Sequence, residues 1–429
     1  MVGKRSPLMI CATVAFAATF CLAASTITVD ERAIFTLGGV NGAAPLSKLV
    51  YTPSGEILGT ASVGGDTTSP CLNANGCGVV FKLSKPNSSG KRNYEVVYTF
   101  NGGSDGMAPL GNLVLDSARN LYGVTEYGGG APIGAYGGGT VYKLSPSSSG
   151  EWSETVLHAF GASGDGYTPL SGLTADQAGN LYGTTSLGGA NNTGTVYELS
   201  PNADGSWSET LLYSFGANAN YALTGSIPAG EVTLDAAGNI YGTGSAGGSF
   251  DYGVVFELSA NSGSWAETVL YNFTGGKDQG TPTEPLWLDT AGNIYGTSGP
   301  VPHGYVVGHG AVFELTPSSG GTWNETTLHK FATCGACTDG DQPSSGLTPD
   351  ETGSLYGTTL TGGTASAGSI YRLVPKAGGG WQYGQIYSFN GTPQSFPEGG
   401  VVFDKDHNMY GVTYDDTDPP SGGVYEIKY

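Results

Sequence analysis

The sequence predicts an all-β fold, a seven-bladed β-propeller with four-stranded blades. Three observations predict it. A tyrosine-glycine anchor recurs through the chain at a spacing near sixty residues. Each interval divides into four strand-like pieces rich in β-branched and aromatic residues. The last interval lacks its fourth piece, while a lone strand precedes the first.

The anchors are Tyr122-Gly123, Tyr182-Gly183, Tyr241-Gly242, Tyr295-Gly296, Tyr356-Gly357 and Tyr410-Gly411, preceded by a worn copy, Leu58-Gly59. Their separations are 64, 60, 59, 54, 61 and 54 residues. A ring of repeats explains how 429 residues fold without one oversized core. The 73 glycines and the 12 % of charged residues suit short strands joined by tight turns.

In the third unit the first strand is expected at Leu170–Asp176 and the second at Asn180–Thr185. The third follows at Gly194–Leu199 and the fourth at Trp207–Phe215. The Asp-x-x-Gly-Asn junction between the first two reads as a hairpin turn, with Asp capping and Gly taking the positive φ. Arg119 and His407 replace that glycine in two units, which should strain those turns or change their type. The glycine after the anchor tyrosine is expected to admit a ring from the neighbouring sheet.

The third strand repeats Gly-x-Val-aromatic, as in Gly139-Thr-Val-Tyr142 and Gly253-Val-Val-Phe256. The fourth returns as Trp152…Phe160, Trp265…Phe273, Trp323…Phe331 and Trp381…Phe389. Thr26 to Leu37, a lone N-terminal strand, is expected to complete the last sheet, a three-plus-one closure that hides the ring's edges.

These motifs resemble the GloVer tandem repeat, a family of exported bacterial "choice-of-anchor" proteins. The resemblance rests on Phe100 to Pro109, on Asn180 to Thr185 and on Gly137 to Leu144, and it covers the chain from about residue 35. It implies a propeller-like repeat and export. It brings no established activity and no catalytic residues. The family's C-terminal surface anchor has no counterpart in the sequence.

Residues 1–25 read as a secretory signal: basic Lys4 and Arg5, an apolar run from Leu8 to Ala24, and small residues at Ala23-Ala24-Ser25. The competing reading is an uncleaved anchor. Removal would leave 26–429 as a single propeller, secreted, periplasmic or on the cell surface, and not integral to a membrane. Formal charge is −20, or near −22 without the two charges of Lys4 and Arg5, which disfavours nucleic acid and anionic membranes as partners. A monomer is expected. Cys71/Cys77 and Cys334/Cys337 read as two short-loop disulfides; for Cys334-Gly-Ala-Cys337 a redox motif lacks its strand-helix context.

If each first strand lines the central channel, the entering loops share a face with the loops between second and third strands. That face carries Asp105, Asp165, Asp278, Asp339 and Asp341, with Asp415, Asp416 and Asp418 from the last unit. Tyr127, Tyr136, Tyr252 and Tyr305 join them. Three readings compete for these residues: turn formation, a carboxylate ring holding a hard cation such as Ca²⁺, and a sugar-binding face of rings and acids. No cofactor is otherwise implied.

His158 and His329 fall where sister units carry tyrosine and read as packing positions. His303 and His309 share one loop but lack a third ligand at telling spacing. Gly102-Gly-Ser104-Asp-Gly106 follows no strand-to-helix elbow, so its serine is no nucleophile. The balance favours an exported binding or scaffold propeller for a glycan, peptide or surface partner. A carbohydrate-active hydrolase or lyase is the alternative, and it should break the repeat with unrelated acids at the channel.

Overall fold

The computed structural model describes residues 30–68, 71, 75–130, 136–216, 225–261, 263–299, 308–331, 338–391, 394–415 and 420–428. Among the described residues seven antiparallel blades follow one another along the chain, with a small two-stranded sheet beside the third. Blade 1 is built from Val50–Tyr51, Ile57–Ala61, Val79–Leu83 and Tyr94–Thr99. Blade 2 runs from Met107–Leu115 to Trp152–Ala159, and blade 3 from Thr174–Ala175 to Trp207–Ser214. Blades 4, 5 and 6 end on Ser264–Asn272, Trp323–Lys330 and Trp381–Ser388. Blade 7 takes Pro397–Phe403, Met409–Asp415 and Ser421–Lys428 from the C-terminal end, and Asp30–Leu37 from the N-terminal end. Asp30–Leu37 lies antiparallel to Ser421–Lys428, from Asp30 opposite Lys428 to Leu37 opposite Gly422. The expected three-plus-one closure is present. The register places Leu37 where the other blades carry their terminal phenylalanine, and Leu37 is buried in the same cluster as Phe81.

Three residue types make each blade. The aspartate of the first turn holds it closed: Asp176 Oδ1 accepts from the Ala178 and Asn180 amides at 2.9 Å, and Oδ2 accepts from Asn180 Nδ2 at 2.8 Å. The same Oδ2 takes the anchor hydroxyl of Tyr182 at 3.3 Å, so turn and anchor are one unit. Asp116, Asp235, Asp289, Asp350 and Asp404 repeat that tie to their own tyrosines. Arg119 and His407 keep the turn and adopt φ of 68° and 63°, so those turns are strained rather than changed in type.

The anchor glycine admits a ring of its own sheet, not of the neighbouring one. Gly183 is the cross-strand partner of Tyr197, and a Cβ on Gly183 would stand 2.4 Å from the Tyr197 hydroxyl. A period-two strand puts directly opposed residues on one face, so the large ring needs an empty place across from it. Between blades, the last phenylalanine of one meets the third-strand ring of the next edge to face. Phe100–Tyr142, Phe160–Tyr197, Phe215–Phe256, Phe273–Phe313, Phe331–Tyr371 and Phe389–Tyr425 all have centroids 5.0 to 5.3 Å apart. All six phenylalanines are buried.

Entering loops do share a face with the loops between second and third strands. Gly166–Tyr167 pairs with Leu187–Gly188, and the Gly129 amide donates to Gly103 O at 3.0 Å. Cys71 and Cys77 form a disulfide on this face. Cys334 and Cys337 lie outside the described residues.

Candidate functional site in the central channel

The acids expected on the entering face are held by their own loops. Asp105 accepts from the Tyr98 hydroxyl at 3.1 Å and the Asn101 amide at 3.0 Å. Asp165 meets His158 Nε2 at 3.1 Å and the Gly161 amide at 3.1 Å. Asp278, 3 % exposed, takes the Tyr271 hydroxyl at 2.9 Å and the Thr274 amide at 2.8 Å. Asp339 meets His329 at 3.2 Å, and Asp341 meets His309 at 2.9 Å. Each carboxylate except Asp341 thus ties its loop to the ring at the end of the preceding fourth strand, which is why tyrosine and histidine interchange there. Tyr127 and Tyr136 lie with ring centroids 5.8 Å apart, and Tyr136 is 56 % exposed. The Tyr252 ring packs close over Gly275. Asp415 ends its strand. Asp416, Asp418, Tyr305 and His303 lie outside the described residues. Among the described residues no three His, Cys, Asp or Glu side chains converge to hold a metal.

A different set converges on the axis. The first strand of every blade passes a central cavity of about 660 Å³. In each, three residues lie between a proline and an apolar residue, as in Pro169-Leu-Ser-Gly-Leu173. Blades 2, 3 and 6 place uncharged residues there, whereas Lys48 stands in blade 1, Glu231 in blade 4, Glu284 in blade 5 and Glu398 in blade 7. Backbone contact fixes this inner ring. A Cβ on Gly111 would stand 2.0 Å from Gly172 N, and one on Gly399 would stand 2.4 Å from Lys48 N.

The charged groups are recessed but keep part of their surface open to the channel. Asn112 ties one of them to the blade 1 backbone: its Oδ1 accepts from the Lys48 backbone amide at 3.0 Å, and its Nδ2 donates to Glu231 Oε2 at 2.5 Å. The Thr174 hydroxyl donates to Glu231 Oε1 at 3.2 Å. Burial pushes Glu231 up to about 7, against the opposing pull of Asn112 and of the Lys48 charge. Burial lowers Lys48, with Glu231 opposing. Glu284 is pushed up to about 7 by burial, and Glu398 to about 8 by burial and then by the charge of Glu284. The channel therefore holds three carboxyl groups that exchange protons near neutral pH, beside one amine. Sequence reading passed over them because it followed what recurs. Their signal was departure from the repeat: a charge in a place that sister blades fill with Leu, Ser or Gly.

The model of the Gloeobacter/Verrucomicrobia repeat matches residues 17–222, 72–307 and 222–425. The chain belongs to the Gloeobacter/Verrucomicrobia repeat family. This repeat protein is similar in fold to virginiamycin B lyase from Staphylococcus aureus, with a TM-score of 0.52 and 13 % identity over 94 % of this chain and 99 % of the lyase. A luciferin-regenerating enzyme aligns at a TM-score of 0.38 and 14 % identity, over 75 % of this chain and 91 % of that one. No curated protein matches the repeat protein by sequence. At 13 % identity the likeness to the lyase is one of fold. No helix among the described residues is long and apolar enough to cross a membrane.

Proposed function

We propose that this protein is an exported binding propeller whose working site is the central channel, and that its ligand is a polyhydroxylated one, a glycan. One observation carries the reading. Glu231, Glu284, Glu398 and Lys48 occupy channel places that blades 2, 3 and 6 fill without charge, so the ring itself does not require them. Recessed carboxyls are unfavourable unless something uses them. Carboxyl groups accept from sugar hydroxyls when ionised and donate when protonated. The exposed ring of Tyr136 beside Tyr127, on the entering face, offers a stacking surface.

A hydrolase or lyase reading is favoured by the same carboxyls, since they are the repeat-breaking channel acids expected of such an enzyme and groups poised near 7 suit general acid and base work. One experiment separates the two. A panel of neutral glycans is titrated into the purified protein and into the Glu231→Gln, Glu284→Gln and Glu398→Gln variants, with product analysis of each mixture. Binding weakened in the variants, with the glycan recovered intact, supports the binding reading. Turnover of any glycan at catalytic rates replaces it with the enzymatic one. No binding by the unsubstituted protein rejects both. Ca²⁺ added in a parallel arm tests a cation on the acidic face.

A further inference from the structure

Tryptophan begins the fourth-strand pattern in blades 2 to 6, as Trp152, Trp207, Trp265, Trp323 and Trp381. In blades 3 and 6 it covers the anchor tyrosine of the preceding blade: Trp207 lies 5.9 Å from Tyr122, and Trp381 lies 5.8 Å from Tyr295. In blade 1 the same place, eight residues before the terminal phenylalanine Phe100, holds Arg92. Its guanidinium stands 5.2 Å from the ring centroid of Tyr410 in blade 7 and 5.8 Å from that of Tyr51. Arg92 Nη1 donates to Gly55 O at 2.6 Å and Ser84 O at 2.9 Å, and the residue is only 8 % exposed. At the seam where the ring closes, a cation has replaced an indole.

A second cavity, of about 630 Å³, opens over this seam. Arg32 reaches it from the N-terminal strand, Lys428 from the last strand, Lys85 from the blade 1 turn and Lys405 from the blade 7 turn. With Arg92, five of the chain's 16 lysines and arginines line one cleft of a protein whose net charge is −20. Three acids share it and all are engaged. Asp404 accepts from the Asn408 amide at 2.9 Å, Asp406 pairs with Lys405 at 2.8 Å, and Glu426 accepts from the Tyr410 hydroxyl at 2.8 Å. Lys85 and Lys428 are exposed and meet no carboxylate among the described residues. Closing the ring does not call for this arrangement, because blades 2 to 6 seal the same junction with tryptophan.

We infer that the seam cleft is a binding site for an anionic oligosaccharide, one bearing uronate carboxylates. The cations come from four separate segments and line the cleft instead of converging on one point, which fits charges spaced along a chain better than one compact oxyanion. The volume is far larger than a single such ion requires. This site stands apart from the channel and does not depend on what the channel binds. Because the cleft joins the first and last strands, its ligand also clasps the ring and stabilises it by mass action.

The test is calorimetric titration with tetragalacturonate at about 0.01 M salt, beside a neutral oligosaccharide of the same length. Tetragalacturonate is expected to bind even with the neutral oligomer in excess, and not to be displaced by it, whatever the channel takes up. Binding should vanish at about 1 M salt. Replacing both exposed lysines (Lys85→Gln with Lys428→Gln) should weaken it about tenfold. Arg92→Trp restores the residue of the other blades, so it should keep the melting midpoint while weakening binding. The inference is overturned by displacement of tetragalacturonate by the neutral oligomer, by an unaffected double lysine variant, or by inorganic sulfate competing as well as tetragalacturonate at equal charge.

Discussion

Phe160, just beyond the last strand of blade 2, stands edge-on to Tyr197 in blade 3, with ring centroids 5.0 Å apart and planes inclined at 62°. The same pairing carries each blade to the next, and its two partners bear unequal loads. Phe160 is fully buried and supplies apolar surface alone, so Phe160→Ala should lower stability by about 3–5 kcal/mol. Tyr142, the equivalent of Tyr197 in blade 2, buries a hydroxyl that has no hydrogen-bond partner among the described residues. Blades 1, 4 and 5 use Phe81, Phe256 and Phe313 at this place. Tyr142→Phe should therefore be neutral or stabilising by up to about 1 kcal/mol. Denaturant midpoints of the two variants decide it; a clear loss in Tyr142→Phe would contradict the packing described.

His407 sits at φ 63° in the blade 7 turn, where five sister turns carry glycine at φ 79° to 87°. A side chain in this region costs about 1 kcal/mol, partly offset by the freedom glycine has in the unfolded chain. His407→Gly should raise the melting midpoint slightly and leave the Asp404 hydrogen bonds in place. A fall in the midpoint would mean that the histidine ring contributes more than its backbone strain removes.

Glu398, Glu231 and Glu284 give stability a definite pH dependence. Their folded values are raised, to about 8 for Glu398 and about 7 for the other two, above the ordinary 4.5. Between those limits the folded chain binds more protons than the unfolded one, so stability falls as pH rises. The contribution is complete below about 4.5 and is lost through pH 7 to 8. The turn aspartates act in the opposite sense: hydrogen bonds depress Asp176 and Asp404 below the ordinary 3.8, so their contribution is lost only in stronger acid. Denaturation midpoints should peak between about pH 4 and 6 and decline toward pH 9. Glu398→Gln should flatten the alkaline decline. An unchanged profile in that variant would remove Glu398 as a cause.

Much of the molecule was legible from residue order. A turn aspartate, an anchor tyrosine, a glycine facing a ring and a terminal phenylalanine all act within one unit or between consecutive ones. Local repetition therefore exposes them. The rim acids were legible as positions but not as partners. Asp105 and Asp165 lie seven residues from Tyr98 and His158, yet only the folded loop turns each carboxylate back onto its ring.

The sequence by itself determined the blade, the number of blades and the strand that closes the ring, because each follows from short-range spacing and from an unpaired edge that must be covered. Tertiary structure alone decided where the charge collects. Lys48, Glu231, Glu284 and Glu398 lie far apart along the chain, each a lone departure within its own blade's first-strand segment. Arg92 and Lys428 meet only across the closing seam. A closed ring makes neighbours of equivalent positions in all blades, so a substitution that looks isolated in sequence becomes part of one wall.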